Sequence, residues 1–161
     1  MTPDQHRAEL ETWRTVVGKA IVCFGELELI TYKCLAHIPS DRISETSSRL
    51  NFARRVDLIV EILEGREPLP ANVATFVKKL RRAKELAQTR NDIAHNPVML
   101  NVFVHEASGD VALENCIATA RGGRFIDLAG AKEFADEVEN LASEMWLQIG
   151  KITEHNEAAS N

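Results

Sequence analysis

From Asp4 to Ala36 no proline interrupts the chain, and one set of residues recurs every three or four positions: Trp13, Val17, Ala20, Phe24, Leu27, Thr31 and Leu35, running on to Ile38. That spacing is one face of an α-helix, and an apolar face of such length must be covered by other elements. Two further stretches repeat the pattern. A second helix is predicted from about Arg49 to Glu64, with Phe52, Val56, Ile59, Val60 and Leu63 inward. Pro39 breaks the first helix, Ser47 or Ser48 is the expected N-cap of the second, and Gly65 its expected C-cap. A third is predicted from about Ala71 to His95, with Val73, Phe76, Leu80, Ala83, Ala87 and Ala94 inward, and Pro97 ends it.

After Pro97 the period changes. The stretches VMLNVFVHE and DVALENCIATA read as strands joined by an ASGD turn, and Gly122-Gly123 makes a second turn before RFID. A β-hairpin is expected, with room for a short third strand. A fourth helix follows from about Leu128 to His155, with Ala131, Phe134, Val138, Leu141, Met145, Ile149 and Ile152 inward. The expected fold is all-α: an up-and-down four-helix bundle, one domain over 1–161, with the hairpin inserted at about 98–126 between helices 3 and 4.

Composition agrees with a packed chain. Apolar residues make up 45% and charged residues 27% of 161, and the 6% of aromatics favours helix packing over a β-sandwich. The net charge of −5 does not attract nucleic acid, so any RNA contact needs a local basic patch. Cys23, Cys34 and Cys116 show no C-x-x-C pair and no zinc spacing. Cys23 and Cys34 lie about 16 Å apart along one helix and cannot bridge. Reduced thiols in a cytoplasm are expected. The opening MTPDQHRAELE has no signal-peptide core, and VVGKAIVCFGELELI is too short and too charged to span a bilayer. No metal, cofactor or membrane is expected.

Two charges sit on apolar faces. On the third helix, with Arg90 at zero, Ala83 falls at about +20°, Phe76 and Ala94 at about +40°, Ala87 at about +60° and Leu86 at about −40°. A guanidinium there keeps its charge and needs a partner or a wet cavity. On the first helix Glu28 falls about 40° from Phe24, between Val17, Leu35 and Ala20. Glu28 and Arg90 are expected to approach one another, which in the plainest reading is a buried structural ion pair. His95 stands elsewhere, about 140° from Arg90, on a polar rail with Asn91, Gln88, Lys84 and Arg81. Asn91 lies four residues before it, within reach of its imidazole. An ordinary role for such a histidine is to cap the helix C-terminus. A site joining Arg90 to His95 needs the helix to unwind near His95, or a second protomer.

Arg90-Asn91-Asp92-Ile93-Ala94-His95 resembles the R-x4-6-H motif of HEPN domains, including the polar residue after the Arg. The resemblance covers roughly Glu9 to Ile152, and only the motif in it is specific. It implies a small helical bundle that dimerises so that two motifs share a cleft. It also implies a metal-independent endoribonuclease of toxin–antitoxin, phage-defence or CRISPR-associated type, with RNA as substrate and a possible antitoxin as partner. In that case His95 is general acid or base, Arg90 stabilises charge on the phosphate, and Asn91 positions His95 or the substrate. The types suit cleavage by a neighbouring 2′-hydroxyl: His moves protons near neutral pH, and Arg is a fixed cation beside a pentacoordinate phosphorane. Products carry a 2′,3′-cyclic phosphate and a 5′-hydroxyl. Some toxins of this kind have a Tyr two residues after the His. Here that position is Pro97, and the chain's one tyrosine is Tyr32, which puts adenylylation at that position in doubt.

Within KKLRRAK, Arg81 and Lys84 share the face of His95, and with Gln88 they are the expected RNA contacts. Arg54 and Arg55 could add to that patch. RGGRF is a turn rather than an RNA-binding repeat, and His37, His105 and His155 show no ligand spacing. The alternative function is a non-catalytic HEPN-like bundle that binds RNA, a nucleotide or a protein, with Arg90 structural. The blandest is an unrelated helical protein whose motif is coincidental.

Overall fold

The computed structural model describes residues 3–37, 47, 49–65, 69–104, 108–119 and 123–158. Ile38, Pro39, Ser48, His105 and Gly122, and the side chains of Ile152 and His155, lie outside them. The described residues are mostly helical: α1 (Pro3–Ala36), α2 (Phe52–Glu64), α3 (Ala71–His95) and α4 (Leu128–Ala158), with β1 (Val98–Val104), β2 (Val111–Ala118) and β3 (Phe125–Ile126) between α3 and α4. Among them no helix is long and apolar enough to cross a membrane. The chain divides into two compact units, residues 1–22 with 89–137 and residues 23–88 with 138–161.

The second unit is helical. Phe52, Val56, Ile59, Val60 and Leu63 of α2 are all buried, as their spacing predicts. Phe24 meets Phe52 edge-on, ring centres 5.1 Å apart, a geometry that contributes about 1 kcal/mol beyond area burial. The N-cap of α2 departs from the sequence expectation. It is Asn51, whose Oδ1 accepts from the Arg54 backbone N–H at 3.0 Å, rather than Ser47 or Ser48. Ser47 is itself buried, and its carbonyl accepts from Leu50 N–H. The chain enters the helix later than the serines, and asparagine caps as well as serine does. Gly65 closes the helix, donating to the Glu61 carbonyl, but it does so in the right-handed region (φ −70°) rather than the left-handed one. No conformational need for glycine arises there.

The first unit holds the sheet. β1 and β2 pair antiparallel from Val98↔Ile117 to Val104↔Val111, and β3 adds Ile117↔Ile126 and Ala118↔Phe125 in the order β1-β2-β3. Gly109 (φ +73°) and Gly123 (φ +62°) sit in the two expected turns, in a conformation that a side chain disfavours. Asp127 starts α4: its Oδ1 accepts from Gly130 N–H at 2.7 Å. Trp13, Ile93, Cys116, Ile117 and Phe134 are buried here. The buried side of α3 near its end is therefore Asp92 and Ile93, whereas Ala94, expected inward, is exposed. A stripe that follows spacings of three and four drifts around a 3.6-residue helix, and over 25 residues the drift brings different positions inward.

Candidate functional site

α3 stays helical through His95, and Asn96 donates its Nδ2 to the Asp92 carbonyl at 2.8 Å. That bond satisfies one of the carbonyls a helix C-terminus leaves open. The helix does not unwind before His95, so the side chains of Arg90 and His95 leave its axis about 140° apart. Arg90 is half-buried, and its Nη1 donates to Asn91 Oδ1 at 3.1 Å. Asn91 and His95 are exposed. Arg90, Asn91 and His95 thus fall on the last two turns of one helix, and the amide of Asn91 is turned to the guanidinium rather than to the imidazole.

Two neighbours escaped the sequence reading. Asp92, inside the motif, is buried, and its Oδ2 lies 3.5 Å from Arg124 Nη1 of the second turn. This ties Arg124 to the motif helix. The signal was available: an acidic residue between Asn91 and Ile93, and an unassigned Arg beside Gly123. The second neighbour is a groove of about 360 Å³ in the same unit, lined by Leu10, Trp13, Arg14 and Val17 of α1, Ile93, Ala94 and Asn96 of α3's end, and Val98 and Ile117 of the sheet. It flanks His95 on both sequence sides. Its walls are mainly apolar, with Arg14 (held by Glu11) and Asn96 as the polar exceptions.

The other expected residues belong to the second unit. Arg81 donates to both carboxylate oxygens of Glu64 at 2.8 Å, and Lys84 reaches Asp57 at 2.5 Å. Gln88 is exposed. Glu28 is half-buried, and its carbonyl accepts from Thr31 Oγ1 at 2.7 Å. Arg90, the residue it was expected to approach, belongs to the other unit.

Arg55 is corrected outright. Expected in a surface patch, it is 4% exposed. Its Nε donates to Thr31 Oγ1 at 3.0 Å, its Nη1 donates to the Leu50 carbonyl at 2.5 Å, and its guanidinium lies 4.0 Å from the centre of the Tyr32 ring. This is a structural cation, enclosed and satisfied. Arg54 remains exposed.

Burial pushes the Cys34 thiol up to about 12 and raises that of Cys116, against an opposing hydrogen bond from Asn101. Neither is a thiolate at neutral pH, so neither is a ready nucleophile. Among the described residues no cluster of three His, Cys, Asp or Glu side chains is placed to hold a metal ion. Comparison with protein-family models, curated proteins and solved structures finds no match for this chain.

Proposed function

We propose that the chain is a homodimeric endoribonuclease of the HEPN type: an up-and-down four-helix bundle with an inserted hairpin, acting in the cytoplasm as a toxin or phage-defence component. The uninterrupted course of α3 through His95 is the observation that supports this reading most. It keeps Arg90 half-buried against Asn91 and His95 exposed at the tip. Two side chains that diverge by about 140° do not reach one phosphate from one helix. A second copy supplies the missing half, so that Arg90 of one protomer and His95 of its partner flank the scissile bond.

The chemistry follows from the residue types. His95 takes the proton of the 2′-hydroxyl, and the 2′-oxygen attacks phosphorus. The bond to the 5′-oxygen breaks, that oxygen takes a proton from water and leaves as a 5′-hydroxyl, and a 2′,3′-cyclic phosphate remains. Arg90 faces the charge that develops on the phosphorane. Asn91 acts as a positioning residue, holding the guanidinium through its Oδ1. Arg81, Lys84 and Gln88 contact flanking phosphates, and the first two exchange Glu64 and Asp57 for RNA to do so. The reaction needs neither metal nor cofactor, and an antitoxin protein would be the natural inhibitor.

The test is cleavage of single-stranded RNA by purified protein in chelator. Wild type yields cyclic-phosphate ends, and Arg90→Ala and His95→Ala each lose at least about 10²-fold. Cleavage by His95→Ala at the parental rate removes the assignment. One observation favours the second reading, a non-catalytic bundle that binds RNA, a nucleotide or a protein. Two of the three expected phosphate contacts are already neutralised by carboxylates. Intact RNA with every variant, together with a large stability loss in Arg90→Ala, selects that reading.

A further inference from the structure

We propose that the exposed distal part of one face of the β1–β2 hairpin, beyond the buried Asn115 and Ile117, is the surface on which two copies of this chain associate. Strand pairing sorts the hairpin into two faces. Met99, Asn101 and Phe103 share one with Cys116, Glu114 and Ala112, and on it Phe103 meets Phe125 edge-on at 5.6 Å. Leu100, Val102 and Val104 share the other with Asn115, Leu113 and Val111. On that second face Leu100 is 48% exposed, Val102 63%, Val104 61%, Val111 63% and Leu113 49%. These are neighbours across one register, so they form a continuous aliphatic patch rather than scattered surface residues.

Area and charge identify the occupant. At on the order of 100 Å² of exposed surface apiece, five such side chains on each of two copies bring roughly 1,000 Å² into one contact, the threshold for a specific interface. Among the described residues this face of the hairpin carries no Asp, Glu, Lys or Arg, on a chain whose net charge is −5. Two like-charged copies meet with least repulsion where neither presents charge. A basic partner would be drawn to the acidic remainder of the surface, and an anionic membrane would repel the chain as a whole. A two-fold contact also sets the patch against itself, so that apolar positions oppose apolar positions. Among the described residues β1 is also an edge strand in the order β1-β2-β3, with no proline or charge along VMLNVFV to discourage approach.

The hairpin begins at Val98, directly after the motif, in the same compact unit. It therefore offers a contact for the dimer proposed above. It stands on the hairpin alone, however: association without RNA cleavage would sink the ribonuclease reading and leave this one intact. Sedimentation velocity of the full chain from about 1 to 100 µM is the measurement. Wild type forms a reversible dimer. Val102→Lys and Val111→Glu, both at exposed positions, keep the wild-type circular dichroism and weaken association at least about tenfold. Mixing Val102→Lys with Val102→Glu gives a heterodimer stronger than either homodimer. A wild-type chain that stays monomeric at about 100 µM overturns the proposal, as does a dimer that neither substitution weakens.

Discussion

Two arginines on apolar helix faces meet different fates. Arg55 of α2 is enclosed: a hydroxyl, a backbone carbonyl and an aromatic face take its donors and its charge. Arg90 of α3 is half-buried, and its terminal nitrogen is held by an exposed amide one residue away. A cation wrapped on all sides by its own unit has been used up in folding. Arg90 is half-buried little more than a turn from an exposed imidazole, and it is the cation that the proposed site uses. A place on the inward face of a helical pattern therefore does not by itself separate a structural cation such as Arg55 from the functional one proposed for Arg90; the surroundings have to.

The largest effect expected from this contrast is on stability. Arg55→Ala should lower unfolding free energy by about 3 kcal/mol, because Thr31 and the Leu50 carbonyl lose a charged donor and a cavity opens. Chemical denaturation measures it. Arg90→Ala should cost under about 1 kcal/mol in the same assay while removing RNA cleavage. Equal losses for the two would make Arg90 structural and erase the contrast. Asn51→Ala removes the α2 cap and should cost about 1 kcal/mol, while Ser47→Ala leaves that cap intact.

Smaller effects come from titration and the surface. The Cys34 thiol, raised from 9.0 to about 12, stays protonated in the folded chain where the unfolded chain ionises. Its contribution is complete below pH 9 and declines as pH rises from 9 towards 12. Alkylation of Cys34 near pH 9 should accordingly be slow in the native protein and fast in denaturant. The smallest effect belongs to Glu64→Gln, which frees Arg81. An exposed pair contributes at most about 1 kcal/mol, so stability should barely change. RNA affinity should rise if Arg81 contacts phosphate, and binding at several salt concentrations reads this directly.

Much of the fold was legible because it rests on period. The bounds of α3, the inward face of α2 and the switch to strands after Pro97 follow from spacing and proline chemistry, which act locally. The failures share a cause: they depend on what packs against a face. Asn51 and the two serines are equal caps by type, and only the entry path of the chain chooses among them. Ala94 and Ile93 differ by one position, and the drift of the stripe decides between them. Arg55 could have been found. It falls about 40° from Ile59 on the α2 wheel, the same test that singled out Arg90, but its place beside Arg54 suggested a surface patch. Of the site, the sequence brought Arg90, Asn91 and His95 to one helix end. The Asp92–Arg124 contact and the groove beside His95 needed the sheet to be folded back on that end, which no local pattern encodes.

The composite site is tested most directly by mixing subunits. Arg90→Ala and His95→Ala proteins, each inactive alone, are unfolded together, refolded at equal concentration and assayed on RNA. A site that takes its guanidinium from one copy and its imidazole from the other is restored once in every mixed dimer, so activity should return to roughly a quarter of wild type. A mixture as inactive as its parents, while wild type cleaves, would contradict the shared site.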